Sequence, residues 1–275
     1  MDKKDPLVSV IMPAYNAEKF IGEAIESILN QTFKDFEFII LDDCSTDKTW
    51  EIIKGYAKKD KRIVAVKNEK NLKISATLNK GILLARGKYI SRMDADDWSY
   101  PQRFEKQINY LEGNSAVVLL GSFIEVADST MKVLNLRRYP LDDISIRSTL
   151  LKYSTFAHPS VIYRREEAVK CGMYNIHLYD SEDYDFYFRI GNFGKFANCP
   201  EILLKLRTHK ESVSQKKIQR QSMLTLYIKL KAVFEYGYQM NLGDKIFFYI
   251  HTFGFFFVPA KIRFRLFNFI RSFNK

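Results

Sequence analysis

Short apolar runs alternate with segments of helical periodicity through the first 93 residues of the chain. The runs are rich in β-branched and aromatic residues, and they predict strands at residues 7–12, 36–41, 62–66 and 89–93. Between them, apolar residues at helical spacing predict helices at residues 18–30, 45–58 and 75–85. This alternation predicts an α/β fold with a doubly wound, mostly parallel sheet and helices on both faces.

The pattern after residue 97 is less regular. Apolar runs predict strands at residues 117–120 and 202–206, and a loop that enters a strand at residues 158–163. Helical spacing predicts one helix at residues 141–151 and another that opens near Ser181. Because the alternation is lost here, the order of these strands in the sheet stays open.

Polar residues follow three of the first four predicted strands. Tyr15 and Asn16 follow the first strand, Asp42 and Asp43 the second, and an acidic turn at residues 94–97 the fourth. In doubly wound sheets, ligands bind beyond the carboxyl ends of the strands, near the point where the strand order reverses. Three polar groups that converge on one edge of a sheet therefore predict a binding site.

The acidic turn holds Asp94, Asp96 and Asp97 within four residues. Like charges this close repel each other, and a bound cation relieves the repulsion. Carboxylate oxygens favour Mg²⁺ or Mn²⁺ over zinc. The alternative is a turn that caps a helix near Pro101, and we expect Asp97 to serve that cap. An EF-hand is excluded, because Ser99 stands where that loop needs glycine.

Composition narrows the class of protein. The chain has 275 residues, of which 47% are apolar and 27% charged, and this is typical of a globular protein with a large core. The sequence lacks the glycine-rich phosphate loops of dinucleotide enzymes and P-loop NTPases. Three cysteines without metal-binding spacing, and an N-terminus without a signal-peptide pattern, favour a cytosolic protein with reduced thiols.

Several short motifs occur in an order shared with a known enzyme family. They are VSVIMPAYN at residues 8–16, LDDCSTD at 41–47, RMDADD at 92–97, HPS at 158–160, SEDYD at 181–185 and RTH at 207–209. In order and spacing, residues 7–212 resemble the family 2 glycosyltransferases of GT-A fold. The resemblance implies a Rossmann-like GT-A sheet and an inverting sugar transfer from a nucleotide-diphosphate sugar, usually a UDP-sugar.

The resemblance also assigns roles to individual side chains. It places Pro13, Tyr15, Asp43, Lys73, Asp94 and Asp96 in the nucleotide-sugar pocket. Asp43 is expected to bind the base and Asp94 to face the ribose. Asp96 is expected to hold the Mn²⁺ or Mg²⁺ cofactor, with His209 as a further metal ligand. Asp183 is expected to be the general base.

Two positions depart from the family pattern. Cys44 stands where glycine is usual after the paired aspartates. Leu72 and Lys73 replace a glycine that is common after Asn71. Both departures concern the shape of a loop more than its chemistry, and Lys73 adds a positive charge that suits a diphosphate.

The assigned residues also have structural alternatives. Asp183 could cap the helix that follows it, and Asp43 could be a turn residue. His209 could be a histidine of a surface loop, and we expect His158 to be structural or to lie on the acceptor side. Two other functions stay open: a sugar nucleotidyltransferase, and a non-catalytic protein that binds sugar nucleotides.

Charge is distributed unevenly along the chain. Residues 1–202 carry 29 basic and 29 acidic residues, whereas residues 203–275 carry 14 basic and three acidic residues, so the whole net charge of +11 lies in the last quarter. From residue 245 onward the chain also holds ten phenylalanines, and residues 262–273 show helical spacing. A basic, aromatic, amphipathic segment is typical of a helix in a membrane interface. The alternatives are packing on the catalytic domain and a homodimer contact.

The sequence therefore predicts a metal-dependent hexosyl- or N-acetylhexosaminyltransferase. We expect a GT-A catalytic domain at residues 1–212, with a nucleotide-sugar half at 7–97 and an acceptor half at 98–212, followed by a helical tail at 213–275. The expected partners are a UDP-sugar, a glycan or glycolipid acceptor of polysaccharide synthesis, and an anionic membrane surface bound by residues 245–275. No nucleic acid is expected, because no such binding module is visible. The expected location is cytoplasmic, on the inner face of the membrane.

Overall fold

The computed structural model describes residues 5–209 and 218–258. The strands are β1 Val8–Ala14, β2 Phe36–Asp42, β3 Ile63–Lys67, β4 Tyr89–Arg92, β5 Trp98–Ser99, β6 Val117–Ala127, β7 Val133–Arg137, β8 Ile162–Arg164 and β9 Lys195–Arg207. The helices are α1 Ile21–Leu29, α2 Thr49–Lys59, α3 Ile74–Leu84, α4 Arg103–Gly113, α5 Asp143–Leu150, α6 Arg165–Lys170, α7 Glu182–Ile190, α8 Ile218–Phe234 and α9 Leu242–Phe257. Short 3-10 turns lie at His158–Ser160, Ile176–Leu178 and Gly191–Phe193. The helical pattern predicted at residues 262–273 lies outside the described residues.

The strands form one nine-stranded sheet in the order β3-β2-β1-β4-β8-β6-β9-β5, and β7 pairs with the second half of β6. β1 runs parallel to β2 and β4, and β2 runs parallel to β3. β8 is antiparallel to β4 and β6, whereas β9 is parallel to β6. The predicted doubly wound, mostly parallel α/β sheet is confirmed, and the irregular second half of the sequence supplies its antiparallel strands.

The first two helices begin later than predicted, at Ile21 and Thr49. The polar residues ahead of α2 lie in a loop, because they bond to the loop before α1. Ser45 Oγ accepts the N–H of Asn16 at 3.0 Å, and the N–H of Lys48 donates to the Glu18 carboxylate at 3.0 Å. The predicted start of α2 at residue 45 is therefore wrong, because a tertiary hydrogen bond that no local pattern shows holds Ser45 in the loop.

β6 and β9 are longer than predicted, because they pair with each other along most of their length. The predicted strand at residues 202–206 missed the part of β9 before Pro200. The pairing tolerates this proline through an irregularity, in which the register passes from Cys199 to Ile202. Gly121 allows a close approach at this point, since a Cβ there would lie 2.1 Å from Asn198 Oδ1.

Helices cover both faces of the sheet. α1, α2 and α4 contribute to the core on one face, whereas α3, α5, α7 and α8 contribute to the core on the other face. Successive residues of β1 point to opposite faces, so Val10 and Met12 lie in the first core and Ile11 lies in the second. This explains why the central strands read as continuous apolar runs.

The last two described helices pack against the body of the protein. Leu224, Ile228 and Ala232 of α8 are buried in the second core. Lys229 is also buried, and its ammonium donates to the carbonyl of Lys152 at 3.0 Å. Across residues 5–209 and 218–258, no helix combines the length and the apolar content that a membrane crossing requires.

Candidate active site

The carboxyl ends of β1, β2 and β4 lie side by side along one border of the sheet, here called the carboxyl edge. Ala14 pairs with Asp42, and Ile11 pairs with Arg92. Neighbouring strands lie about 4.8 Å apart, so the loops after β2 and β4 are separated by about 10 Å across the end of β1. Asp43 and the acidic turn therefore flank the loop that carries Tyr15.

The loops after β1 and β2 are fastened to each other. Asn16 Oδ1 accepts the N–H of Thr46 at 2.9 Å, and the N–H of Asn16 donates to Ser45 Oγ at 3.0 Å. Pro13 is buried inside β1, whereas Tyr15 beyond it is 52% exposed. The structure thus offers an exposed aromatic ring on a fixed loop at the carboxyl edge.

The Asp43 carboxylate is buried and organises the loop at residues 68–73. It accepts hydrogen bonds from Asn68 Nδ2 at 2.8 Å, from the N–H of Leu72 at 2.8 Å and from the N–H of Lys73 at 3.0 Å. A carboxylate has about four acceptor positions. Asp43 therefore supports the pocket wall and retains acceptor capacity for one further donor.

Both departures from the glycine pattern adopt backbone conformations that favour glycine. Cys44 has φ +64°, and Lys73 has φ +70° with ψ 166°. Such angles are costly for a residue with a side chain, and they persist where surrounding bonds enforce them. Here Asp43 accepts the N–H of Lys73 directly. Both loops therefore adopt backbone angles that glycine accommodates without strain, and the Lys73 side chain is exposed.

The acidic turn brings its three carboxylates together. Ligand oxygens of Asp94, Asp96 and Asp97 all lie within 4.8 Å of one another. Asp94 pairs with the guanidinium of Arg92, and Asp96 Oδ2 lies 2.9 Å from His209 Nε2. Burial and the charge of Asp94 raise the pKa of Asp96. The turn thus concentrates negative charge that is only partly compensated by the protein.

Asp97 does not cap a helix, so that prediction is wrong. α4 begins at Arg103 with Gln102 before it, and Asp97 Oδ1 instead accepts the N–H of Arg207 at 2.8 Å. Its other carboxylate oxygen is buried, and among the residues that the structure describes it has no hydrogen-bond partner. Burial, together with the charge of Asp96, raises the pKa of Asp97 well above its ordinary value. Asp97 therefore joins the end of β9 to the acidic turn.

The end of β9 completes the site from a distant part of the chain. Arg207 Nε donates to the carbonyl of Asp96 at 2.7 Å, and its guanidinium lies 4.4 Å from the Phe20 ring centre. The ring of His209 lies 5.3 Å from the same Phe20 ring. His209 thus faces Asp96 across 113 residues of sequence, held by residues of β9 and of the segment before α1.

The donor set at the acidic turn fits a divalent cation. Asp96 keeps 32% of its side-chain surface exposed and His209 keeps 19%, so both are accessible from solvent. The unpartnered oxygen of Asp97 and the raised pKa of Asp96 indicate negative charge that lacks a full counter-charge. Carboxylate oxygens with one imidazole nitrogen suit Mn²⁺ and also admit Mg²⁺.

Asp183 lies in the first turn of α7, two residues after Ser181. Ser181 occupies the N-cap position but makes no capping bond through its side chain. Burial raises the pKa of Asp183, the positive charge of Arg92 lowers it, and the negative charge of Asp94 raises it. Asp183 therefore lies within electrostatic reach of the acidic turn.

Arg92 is a residue of this site that the sequence alone did not single out. Its side chain is only 5% exposed, and its guanidinium contacts Asp94. Its charge also lowers the pKa of Asp183 and of Glu182. The sequence held a signal for this role, because Arg92 lies in an apolar strand two residues before the first of three carboxylates. Arg92 acts as the counter-charge between the acidic turn and the start of α7.

A polar cluster lies behind Asp183. His158 Nε2 lies 3.0 Å from the Tyr174 hydroxyl, and His158 Nδ1 lies 4.0 Å from the Glu182 carboxylate. Burial lowers the pKa of His158 well below its ordinary value, so the imidazole is neutral near pH 7. Burial and the charge of Asp183 raise the pKa of Glu182 to about 8. His158 is thus part of the support of α7, in line with the structural role expected for it.

The Glu182→Gln variant is expected to be more stable than the wild type at pH 8, by on the order of 1 kcal/mol or more. Folded Glu182 holds its proton up to about pH 8, whereas the unfolded chain releases it near 4.5, so wild-type stability falls as the pH rises across this interval. Thermal unfolding between pH 5 and 8 measures the effect. The exposed Glu51→Gln variant is the control and should follow the wild type. Equal slopes for all three proteins would contradict the prediction.

Comparison with known proteins agrees with this geometry. The family model described as Glycosyl transferase family 2 matches residues 9–172. An uncharacterized glycosyltransferase of Methanocaldococcus jannaschii is 42% identical over 82% of this chain and 79% of its own length. The Escherichia coli protein WfaP is 33% identical over 82% of this chain and 88% of its own length; its name is UDP-Glc:alpha-D-GlcNAc-diphosphoundecaprenol beta-1,3-glucosyltransferase.

The fold is also shared with solved structures. The mannosyltransferase PcManGT from Pyrobaculum calidifontis, in complex with GDP-Man and Mn²⁺, superposes with a TM-score of 0.68. That similarity covers 93% of this chain and 71% of the other, at 16% sequence identity. The sheet described above, with its helices on both faces, is a GT-A fold. On the family match, the relatives and this fold, the chain belongs to glycosyl transferase family 2 and is a glycosyltransferase.

Proposed function

We propose that the protein transfers a sugar from a UDP-sugar to a hydroxyl of a glycan or lipid-linked oligosaccharide, with inversion at the anomeric carbon. The observation that carries the proposal is the joint environment of the acidic turn and Asp183. Asp96 faces His209, and Arg92 acts electrostatically on both Asp94 and Asp183. A cation site for a diphosphate and a base for an acceptor thus border the same carboxyl edge.

The donor is assigned to the loops after β1, β2 and β3. The exposed ring of Tyr15 offers a surface for the base, and Pro13, buried in β1 two residues earlier, is assigned to the same pocket. The free acceptor capacity of Asp43 suits the N–H of a uracil. Lys73 carries an exposed ammonium suited to a diphosphate, and Asp94 is assigned to the ribose. The name of the Escherichia coli relative, which specifies UDP-Glc, supports a UDP-linked donor.

Asp96 and His209 are assigned as ligands of Mn²⁺ or Mg²⁺. A bound divalent cation supplies Lewis-acid neutralisation of the charge that develops on the leaving diphosphate. Arg207 holds the carbonyl of Asp96 and the segment next to His209, so it orients both ligands. The Mn²⁺ in the complex of the Pyrobaculum enzyme supports this assignment.

Asp183 is assigned as the general base that removes the proton of the acceptor hydroxyl. The charge of Arg92 lowers the pKa of Asp183 and so favours its ionised form, against the effect of burial. Direct attack on an α-linked donor from the opposite face gives a β-linked product. The β-1,3 linkage in the name of the Escherichia coli relative is consistent with this stereochemistry.

The acceptor half is assigned to residues 98–212, and the whole catalytic domain to residues 1–212. The diphosphoundecaprenol acceptor in the name of the Escherichia coli relative supports a lipid-linked acceptor. An enzyme that combines a cytosolic UDP-sugar with such an acceptor works at the cytoplasmic face of the membrane, and we place this protein there.

Product analysis tests the proposal. The protein is incubated with Mn²⁺, each of a panel of UDP-hexoses and UDP-N-acetylhexosamines, and a GlcNAc-diphospholipid acceptor. We expect UDP and a glycosylated lipid from one donor. In a parallel incubation with UTP and a hexose 1-phosphate, release of pyrophosphate would indicate a sugar nucleotidyltransferase. UDP binding without any product from the whole panel would favour a non-catalytic binder of sugar nucleotides.

A further inference from the structure

α9 exposes an apolar face to solvent. Six large side chains along one side of this helix are each between 52% and 72% exposed: Ile246, Tyr249, Ile250, Phe253, Phe256 and Phe257. We call this set the outer face of α9. Its residues recur at helical spacing, so they form one continuous stripe. Such a face is costly in water and indicates a partner.

The opposite side of α9 is fixed to the body of the protein. Asn241 and Asp244 form a capping box that defines the start of the helix, and Asp244 is buried. The Lys152 ammonium lies 3.7 Å from the Asp244 carboxylate, and the Lys229 ammonium lies 5.1 Å from the centre of the Phe247 ring. The outer face is therefore turned outward by contacts on the inner side.

The start of α8 contacts the segment that leads to Asp183, the proposed base. At the start of α8, Arg220 Nε lies 3.3 Å from the Asp180 carboxylate, and Gln221 Nε2 donates to the Asp180 carbonyl at 3.2 Å. Asp180 precedes Asp183 by three residues, so α8 connects the start of α7 to α9. On the proposed function, in which Asp183 acts on the acceptor, α8 therefore links α9 to the acceptor side of the site.

Charge distinguishes among the partners that could cover this face. Residues 259–275, which follow α9 directly, carry five basic residues and no acidic residue. In a homodimer built on α9, two such segments would approach each other and repel. An anionic bilayer attracts the same segment and accepts the apolar face in its interface. An apolar helix face and a basic segment are each weak membrane signals, and together they give stable membrane binding.

We propose that the outer face of α9 is a docking surface for an anionic lipid bilayer, and that it brings the acceptor side of the site to a membrane-bound acceptor. The second part rests on the proposed function, whereas the docking itself does not. The interaction is interfacial: the aromatic and aliphatic side chains of the outer face enter the headgroup region, and the net positive charge of residues 203–275 favours anionic headgroups.

Sedimentation of the full chain with vesicles tests this proposal. The vesicles contain phosphatidylglycerol and phosphatidylcholine in equal parts, or phosphatidylcholine alone. We expect binding to the anionic vesicles that weakens with salt, and at least about tenfold weaker binding by the double variant Ile250→Glu/Phe253→Glu. The matched control is Val133→Glu/Leu134→Glu, which adds the same charges to exposed apolar residues of β7 and should bind like the wild type.

Each other outcome counts against the proposal. It is overturned if the wild type does not bind the anionic vesicles, or if the α9 variant binds as tightly as the wild type. It is also overturned if sedimentation velocity shows a wild-type dimer that the α9 variant converts to a monomer while vesicle binding is absent. Thermal stabilisation by UDP with Mn²⁺ is measured on the wild type and on every variant. Its absence in the wild type would count against the proposed donor site and not against docking.

Discussion

The Asp183→Asn variant is expected to lose transfer activity by about 10²- to 10⁴-fold while it still binds UDP in the presence of Mn²⁺. Asparagine has nearly the same shape as aspartate but cannot accept the proton of the acceptor hydroxyl. Asp183 lies at the start of α7 and is not among the residues assigned to the nucleotide or the cation, so donor binding should persist. Steady-state rates and calorimetric titration with UDP measure the two quantities.

The control for this variant is Asp35→Asn, because Asp35 is exposed just before β2, at the opposite end of the strand from the carboxyl edge. Its rate should match the wild type. In the wild type, burial raises the pKa of Asp183, so the rate should rise with pH through that pKa as the carboxyl loses its proton. A near-normal rate for Asp183→Asn would remove Asp183 from the role of base.

The Asp96→Ala variant is expected to weaken Mn²⁺-dependent UDP binding by at least about 10- to 100-fold, since even the loss of a group that only supports a ligand costs this much in other metal sites. Asp96 is a solvent-accessible carboxylate of the acidic turn, and His209 lies against it. Calorimetric titration with UDP, with and without Mn²⁺, measures the effect. Paramagnetic resonance of free Mn²⁺ reports cation binding independently of activity.

Two further variants sharpen this prediction. His209→Ala should also weaken Mn²⁺ binding, whereas Asp35→Ala removes a carboxylate from the far side of the sheet and should leave it unchanged. If Asp96→Ala kept the full effect of Mn²⁺ on UDP binding, the cation would have to be assigned elsewhere. If Asp96→Ala lost the effect of Mn²⁺ on UDP binding but His209→Ala retained it, His209 would be a partner of Asp96 and not a metal ligand.

The arrangement of charge explains how one arginine can serve two parts of the reaction. Arg92 contacts Asp94 in the acidic turn, and its field also acts on Asp183 and Glu182. Carboxylates this buried would otherwise take up protons, because burial disfavours their charged form. A buried arginine at the end of β4 therefore opposes the protonation of Asp183, the residue proposed as the base.

Local sequence patterns determined the first half of the fold and the position of the acidic turn. A strand of continuous apolar residues and a helix of 3.6-residue period are both set by neighbours in the chain, so residues 7–93 reveal their elements directly. Because parallel strands end at the same edge, the residues after β1, β2 and β4 could be assigned to one site before any coordinates were known.

The family motifs had suggested His209 and Asp183 for that site, but only the tertiary structure decided which residues these and the other distant side chains contact. His209 reaches Asp96 across 113 residues, and Arg207 donates through Nε to the carbonyl of Asp96 and through its backbone N–H to the carboxylate of Asp97. None of these contacts leaves a periodic trace in the sequence. The sequence pattern also did not reveal that Arg92 is the counter-charge of Asp183, or which side of α9 faces solvent. Pairing of long strands and packing of helices set these contacts, and both depend on the whole fold and not on neighbouring residues.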